Sequence, residues 1–167
     1  MPLLGLRRRK EEPRATGDVI GIELTEEQLK RAEPLPNFMD ENWWPDDRLT
    51  GWVILNAEKW RPMRTPAAVK GRTLKESIWI NGLPYDAAIF MDDGRIFLAD
   101  YFTFSVMALS DGSMSVNDII AKLVAEAAEV DEWMREKLEK KDEEVLTGLY
   151  SLFYRAFAML KERGLLH

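Results

Sequence analysis

Apolar and polar positions follow two different rhythms along this chain. From Ala88 to Met91 and again from Ile96 to Ala99, short apolar runs flank Asp92-Asp93-Gly94. Asp-Gly between apolar runs predicts a tight hairpin, because glycine accepts the positive φ of such a turn. Beyond Asp100 the period lengthens to that of a helix. Tyr101 to Leu109 reads as a short apolar helix stopped by Ser110-Asp111-Gly112. Ser115 then predicts an N-cap, and Val116, Ile119, Ile120, Leu123, Val124 and Ala127 form an i, i+3, i+4, i+7 stripe. Glu129 to Glu144 is charged, with Val130, Trp133, Met134 and Leu138 on a narrow stripe. The last helix is expected over about Glu143–Arg163, with Gly164 as its C-cap.

That last helix is apolar around an arc of roughly 220° at 100° per residue. Leu146, Leu149, Phe153 and Leu160 lie in the middle, Leu152 and Met159 on one edge, and Tyr150, Tyr154 and Phe157 on the other. A helix docked on a single core needs a narrower stripe. The excess predicts either a cover supplied by the chain itself or the wall of a groove for a partner.

The amino-terminal part is organised differently. Arg7-Arg8-Arg9-Lys10 is a basic run read as a solvated tail. Asp18 to Leu24 is expected as a strand. Thr25-Glu26-Glu27-Gln28 has the form of a capping box and starts a short helix that Pro34 and Pro36 end. Residues 34–66 are rich in Pro and Trp, with Trp43, Trp44, Trp52 and Trp60 among the six tryptophans of the chain. Within them only Gly51 to Leu55 looks like a strand. This segment is either an irregular flap on the rest of the chain or an arm with Trp anchors in a partner's pockets. The expected division is therefore an extension over 1–70 and a domain over 71–167.

Composition narrows the chemistry. Of 167 residues, 46% are hydrophobic and 31% charged, which is a globular balance. There is no cysteine, and the one histidine is His167. Disulfides, thiolate metal sites, His-based zinc sites and Ser-His triads are thereby excluded, and no cofactor or metal is expected. No catalytic residue can be named. No apolar run reaches the ~18 residues of a membrane span, and Met1 to Leu6 is too short for a signal segment, so the expected location is the cytoplasm.

The pattern over residues 77–167 resembles the PqqD-like family, the peptide-recognition element of pathways that modify ribosomally made peptides. The matching pieces are Ile89-Phe90-Met91, Asp93-Gly94, Ile96 to Asp100, Phe104 to Leu109, Asp111-Gly112, Ser115-Val116 and Arg163-Gly164-Leu165-Leu166. The resemblance implies an α+β, winged-helix-like domain: a small antiparallel sheet followed by three or four helices, here with an irregular N-terminal extension. It implies a peptide that adds as a strand to the sheet edge and lies against the last helix. On this chain the edge strand would be Arg95, Ile96, Phe97, Leu98 and Ala99. The helix wall would be Leu146, Tyr150, Phe153, Tyr154 and Phe157, and the earlier strand Ser77 to Asn81, set off by Gly82-Leu83-Pro84. The family has no catalytic residue.

The expected function is a non-catalytic module that recognises a peptide and presents it to a modifying enzyme. The alternative is an accessory subunit of a larger enzyme complex, using the Trp-rich arm for assembly. A winged-helix transcription factor is the third reading, and the net charge of −6 opposes it, since nucleic-acid binding needs clustered cations. Binding of duplex DNA at physiological salt is accordingly expected to be undetectable by fluorescence anisotropy. A tight, sequence-selective complex would restore the transcription-factor reading.

Overall fold

The computed structural model describes residues 21–40, 42–43 and 45–167, with only the backbone of Val69 and Lys70. The basic run, residues 18–20 of the expected first strand, and Trp44 lie outside the described residues. The elements in chain order are α1 (Glu26–Arg31), β1 (Glu33–Pro34), α2 (Asp47–Leu55), β2 (Ala68–Ile80), β3 (Leu83–Met91), β4 (Ile96–Ala99), α3 (Tyr101–Leu109), α4 (Val116–Val130), α5 (Glu132–Glu139) and α6 (Glu143–Glu162). The fold is α+β, with one four-stranded sheet in the order β1-β4-β3-β2.

Local chemistry accounts for most helix ends. Thr25 and Gln28 close a true capping box at α1. Asp46, Asp100, Ser115, Asp131 and Asp142 cap α2 to α6 by accepting a backbone amide of the first turn. Gly164 follows α6 with φ +74°, the left-handed conformation that glycine supplies past a helix end.

The β3–β4 turn falls at Asp92-Asp93-Gly94 as expected, with Gly94 at φ +90°. The β2–β3 turn does not fall at Gly82-Leu83-Pro84. Ile80 pairs with Leu83 across Asn81-Gly82, whose φ values of 52° and 78° make an Asn-Gly two-residue turn. Leu83 and Pro84 belong to β3. Pro84 is tolerated because β4 ends opposite Ala87, so β3 has no second neighbour at Pro84.

β2 is also longer than the expected Ser77–Asn81. Its first half is interrupted by Lys70, Gly71, Arg72 and Lys75, a pattern that reads as a linker. Charged residues are what a strand at the edge of a sheet carries. Gly51 to Leu55 is helix instead of strand. The run is five residues long, too short for its period to be told, and the Asp46 cap decides it.

The sheet is covered on both faces. Ile89, Met91, Phe97 and Ala99 look toward α3–α6 and join the main core. Leu74, Tyr85, Ala88, Ile96 and Leu98 look the other way, under Ile22, Leu24 and Ala32 of the chain's early residues. All four residues of β4 are therefore buried. The extension enters the main core as well: Leu35, Phe38, Val53 and Ala57 are all buried there. Core formation does not stop at residue 71.

Phe38 is the sharpest case. It is 6% exposed, stacks on Phe102 at 3.9 Å between ring centroids and tilts against Phe153 at 5.6 Å. Phe38→Ala is expected to lower unfolding stability by about 3–5 kcal/mol, seen as a fall in the midpoint of urea unfolding. An unchanged midpoint would mean that the extension is a separable arm.

Candidate peptide-binding surfaces

The groove expected between β4 and the last helix is filled by the chain itself. β1 pairs in parallel with β4, Glu33 beside Phe97 and Pro34 beside Leu98. The Leu35 amide continues the ladder by donating to the Leu98 carbonyl at 2.8 Å. The Tyr85 hydroxyl donates to the Leu35 carbonyl at 3.0 Å, and Asn37 Nδ2 donates to the Pro84 carbonyl at 2.7 Å. Arg95 to Ala99 is thus not an open edge. Arg95 is exposed in the turn region, where it bonds Asp93, and Ile96 to Ala99 are sealed on both sides. The cause lies in the extension. Pro34 and Pro36 break α1 into extended chain, which is the conformation a fourth strand needs.

Asp100 holds this junction. Its Oδ1 accepts from the Thr103 amide at 2.7 Å, and its Oδ2 accepts from the Phe38 amide at 2.7 Å and the Thr103 hydroxyl at 3.0 Å. One carboxylate therefore caps α3 and pins the extension. Burial raises the pKa of Asp100 above the usual carboxylate range, against the pull of those donated hydrogen bonds.

The expected helix wall is covered too. Phe153 and Phe157 are fully buried, while Leu146, Tyr150 and Tyr154 are half-buried. α2 lies along α6, and Val53 is buried in the shared core. The Trp60 ring meets Phe157 edge-on at 6.2 Å and Trp52 at 5.3 Å. Lys161 Nζ sits 4.7 Å from the Trp52 ring centroid and 5.0 Å from that of Trp60. Arg155 donates to the Trp43 carbonyl at 2.8 Å, and its guanidinium is 6.0 Å from the Trp43 ring centre. Trp43, Trp52 and Trp60 are thus anchors for this chain's own last helix, and the broad arc of α6 is used up internally. Tyr154 completes the cover by donating to Asn117 Oδ1, while Asn117 Nδ2 donates to Glu58. Burial raises the pKa of both Tyr150 and Tyr154.

The unsaturated edge is on the other side of the sheet. β2 is the terminal strand, and among the described residues its outer edge carries one bridge, the parallel pairing of Ile22 with Leu74. Ile22 donates to the Thr73 carbonyl and accepts from the Lys75 amide, each at 2.9 Å. Gly21 lies so close to that edge that an added Cβ would sit 2.4 Å from the Lys75 amide nitrogen. Since Thr73 points its carbonyl outward, Gly71, two residues earlier, presents its amide and carbonyl outward as well.

Beside this edge, a pocket of 260 Å³ opens between the sheet and α3. It is lined by Ala68, Ile89, Phe104, Met107 and Ala108, together with Gly71 and Arg64. A Cβ at residue 71 would lie 2.7 Å from Phe104 Cε1, so glycine there lets the Phe104 ring rest against the strand, and a larger residue would have to push that ring aside. Arg64 is fixed by its backbone: its amide donates to the Ser110 carbonyl at 2.9 Å, and it bridges to Leu166. Its Nη1 donates to the Met107 and Ala108 carbonyls at 2.8 and 2.9 Å, meeting the partial negative charge at the end of α3. Sequence reading passed over this site because its residues are 44 positions apart and none carries a motif.

Among the described residues no group of three or more His, Cys, Asp or Glu side chains could hold a metal ion, and no helix is long and apolar enough to cross a membrane. Comparison with protein-family models, with curated proteins and with solved structures gave no match.

Asp100 makes a pH dependence checkable. With a folded-state pKa raised above its unfolded value, its contribution is fullest below the unfolded pKa and is lost as pH rises through the raised value. Unfolding free energies of the wild type and Asp100→Asn, compared from about pH 4 to about pH 8, should therefore diverge: the wild type loses ground with rising pH. A difference that moves the other way would mean that the hydrogen bonds outweigh the burial.

Proposed function

We propose that this protein is a non-catalytic binding module that takes an extended peptide by strand addition and presents it to another protein. One observation carries the reading: the outer edge of β2 offers backbone donors and acceptors beside an apolar pocket, with a single bridge on it among the described residues. Strand addition needs those two parts, main-chain bonds for affinity and a pocket for selectivity. The PqqD-like pattern of residues 77–167 supports the same class of function. The location differs from what the resemblance implies, since β1 occupies the β4 edge, and the binding strand becomes β2.

The internal use of Trp43, Trp52 and Trp60 weighs against the extension as an assembly arm. The accessory-subunit reading keeps one supporting feature, the outer face of α2. Leu55 is 83% exposed and Ile54 50%, next to Trp52. Such a face suits a protein interface.

A peptide library displayed on phage and selected on the purified chain tests the proposal. Selected peptides are expected to lose about tenfold or more in affinity for Thr73→Pro, because proline removes an outward amide at a strand edge where it is otherwise tolerated. Circular dichroism should show that variant folded. Selected peptides that bind Thr73→Pro as well as the wild type would overturn the β2 site.

A further inference from the structure

Resting on the reading of β2 as the binding edge, we infer that the 260 Å³ pocket takes the last residue of a peptide, an apolar side chain carrying a free α-carboxylate.

The walls set the first half of that chemistry. Five of the seven lining residues are the apolar Ala68, Ile89, Phe104, Met107 and Ala108. A pocket of this size is below the roughly 300–1,000 Å³ of sites for drug-sized ligands. It exceeds the roughly 150 Å³ cavity that holds one benzene. A single large apolar side chain, with room for its backbone, is the matching occupant. No polar side chain besides Arg64 lines the pocket to hydrogen-bond a sugar, a base or an amide.

Arg64 sets the second half. Its Nη1 is spent on the Met107 and Ala108 carbonyls, and its Nε and Nη2 have no partner among the described residues. The two carbonyl bonds and the backbone bridges hold the guanidinium in place. Its remaining donors form a fork that matches a carboxylate. Asp111 is the nearest competitor: its pKa is lowered chiefly by the Ser113 hydroxyl and the Ser113 amide, the latter at 2.9 Å, both donating to Oδ1, with Arg64 adding the smallest pull. It forms no ion pair with Arg64 within bonding distance among the described residues. An anion in the pocket therefore meets a cation that is held in position and, among the described residues, is not neutralised by contact.

The β2 edge supplies the geometry that joins the halves. The Ile22 bridge takes the Thr73 carbonyl, so a chain paired along the Thr73 amide and the outward groups of Gly71, just past that bridge, reaches the Gly71–Ala68 end of the strand beside the pocket and Arg64. A peptide that ends there places its terminal carboxylate at the guanidinium and its last side chain between β2 and α3. Pairing in the opposite direction would set an amino terminus against Arg64, which the like charge disfavours.

The test uses the whole chain and three probes: N-acetyl-phenylalanine, N-acetyl-phenylalaninamide and octanoate. Binding is followed by methyl-resolved NMR titration. The acid is expected to move the Ile89, Met107 and Ala108 methyl signals and to bind about tenfold more tightly than the amide, as the loss of a charge-assisted hydrogen bond predicts. Arg64→Gln should reduce the acid to the affinity of the amide. Ala108→Met, which fills the pocket from an exposed helical position, should remove both. Equal binding of acid and amide by the wild type would overturn the inference without any variant. So would signal changes confined to residues outside the pocket, or no change with any probe. Octanoate binding more tightly than the acetylated amino acid would replace a peptide terminus by a fatty acid and overturn it too. The Thr73→Pro experiment fails or succeeds separately. Library peptides that need the β2 edge but are indifferent to a blocked carboxyl terminus would sink this inference and leave the binding module standing.

Discussion

The carboxylate of Asp100 joins three parts of the chain that would otherwise be unrelated. It lies one residue past β4, caps α3 through Thr103, and accepts the Phe38 amide from the extension. A buried carboxylate is costly unless every lone pair has work. Three donated hydrogen bonds offset part of that cost, and two of the donors are backbone amides with few alternatives. The strand end, the helix start and the extension are thereby held to one geometry. Phe38 is then carried against Phe102 and Phe153, and Leu35 is placed under Tyr85. Filling of the β4 groove follows from this junction.

That filling changes where a partner can bind. The resemblance points to the groove between the β4 edge and the last helix. Here the same groove is lined by the same kinds of residue, but Glu33–Leu35 supplies the added strand and Trp60 with α2 supplies the cover of α6. Glu33–Leu35 thus holds on β4 the place that the resemblance gives to a peptide strand. Displacing it would expose Leu35 and Phe38 and take from Asp100 the Phe38 amide, leaving it the two bonds from Thr103. Among the described residues the opposite edge carries only the Ile22–Leu74 bridge. β2 is long, charged along its first half and flanked by the pocket that Gly71 and Phe104 help to line.

The extension also explains the broad apolar arc of α6. An arc wider than one core can bury must be covered from a second side. Trp43, Trp52 and Trp60 do so, with Lys161 and Arg155 lying against their rings. Cations on a face of indoles keep a polar rim over an apolar contact. The end of α2, with Leu55 and Ile54, is the part of this cover that stays exposed among the described residues.

Local signals in the sequence determined most of the helices and the β3–β4 turn, while α2, β1 and the full length of β2 were not legible in it. The Asp-Gly turn, the caps at Thr25, Asp100 and Ser115, the stripe of α4 and the span of α6 are encoded within a few residues, because capping bonds and helical periodicity act over three or four positions. The seven-residue wall of the pocket, the partner of β4 and the fate of the tryptophans were decided only in three dimensions. Phe38 meets Asp100 across 62 positions, and Arg155 meets Trp43 across 112. No local pattern separates an extended segment that pairs with its own sheet from one that waits for a partner. The same hydrogen bonds satisfy both, and only the path of the folded chain brings Pro34 beside Leu98.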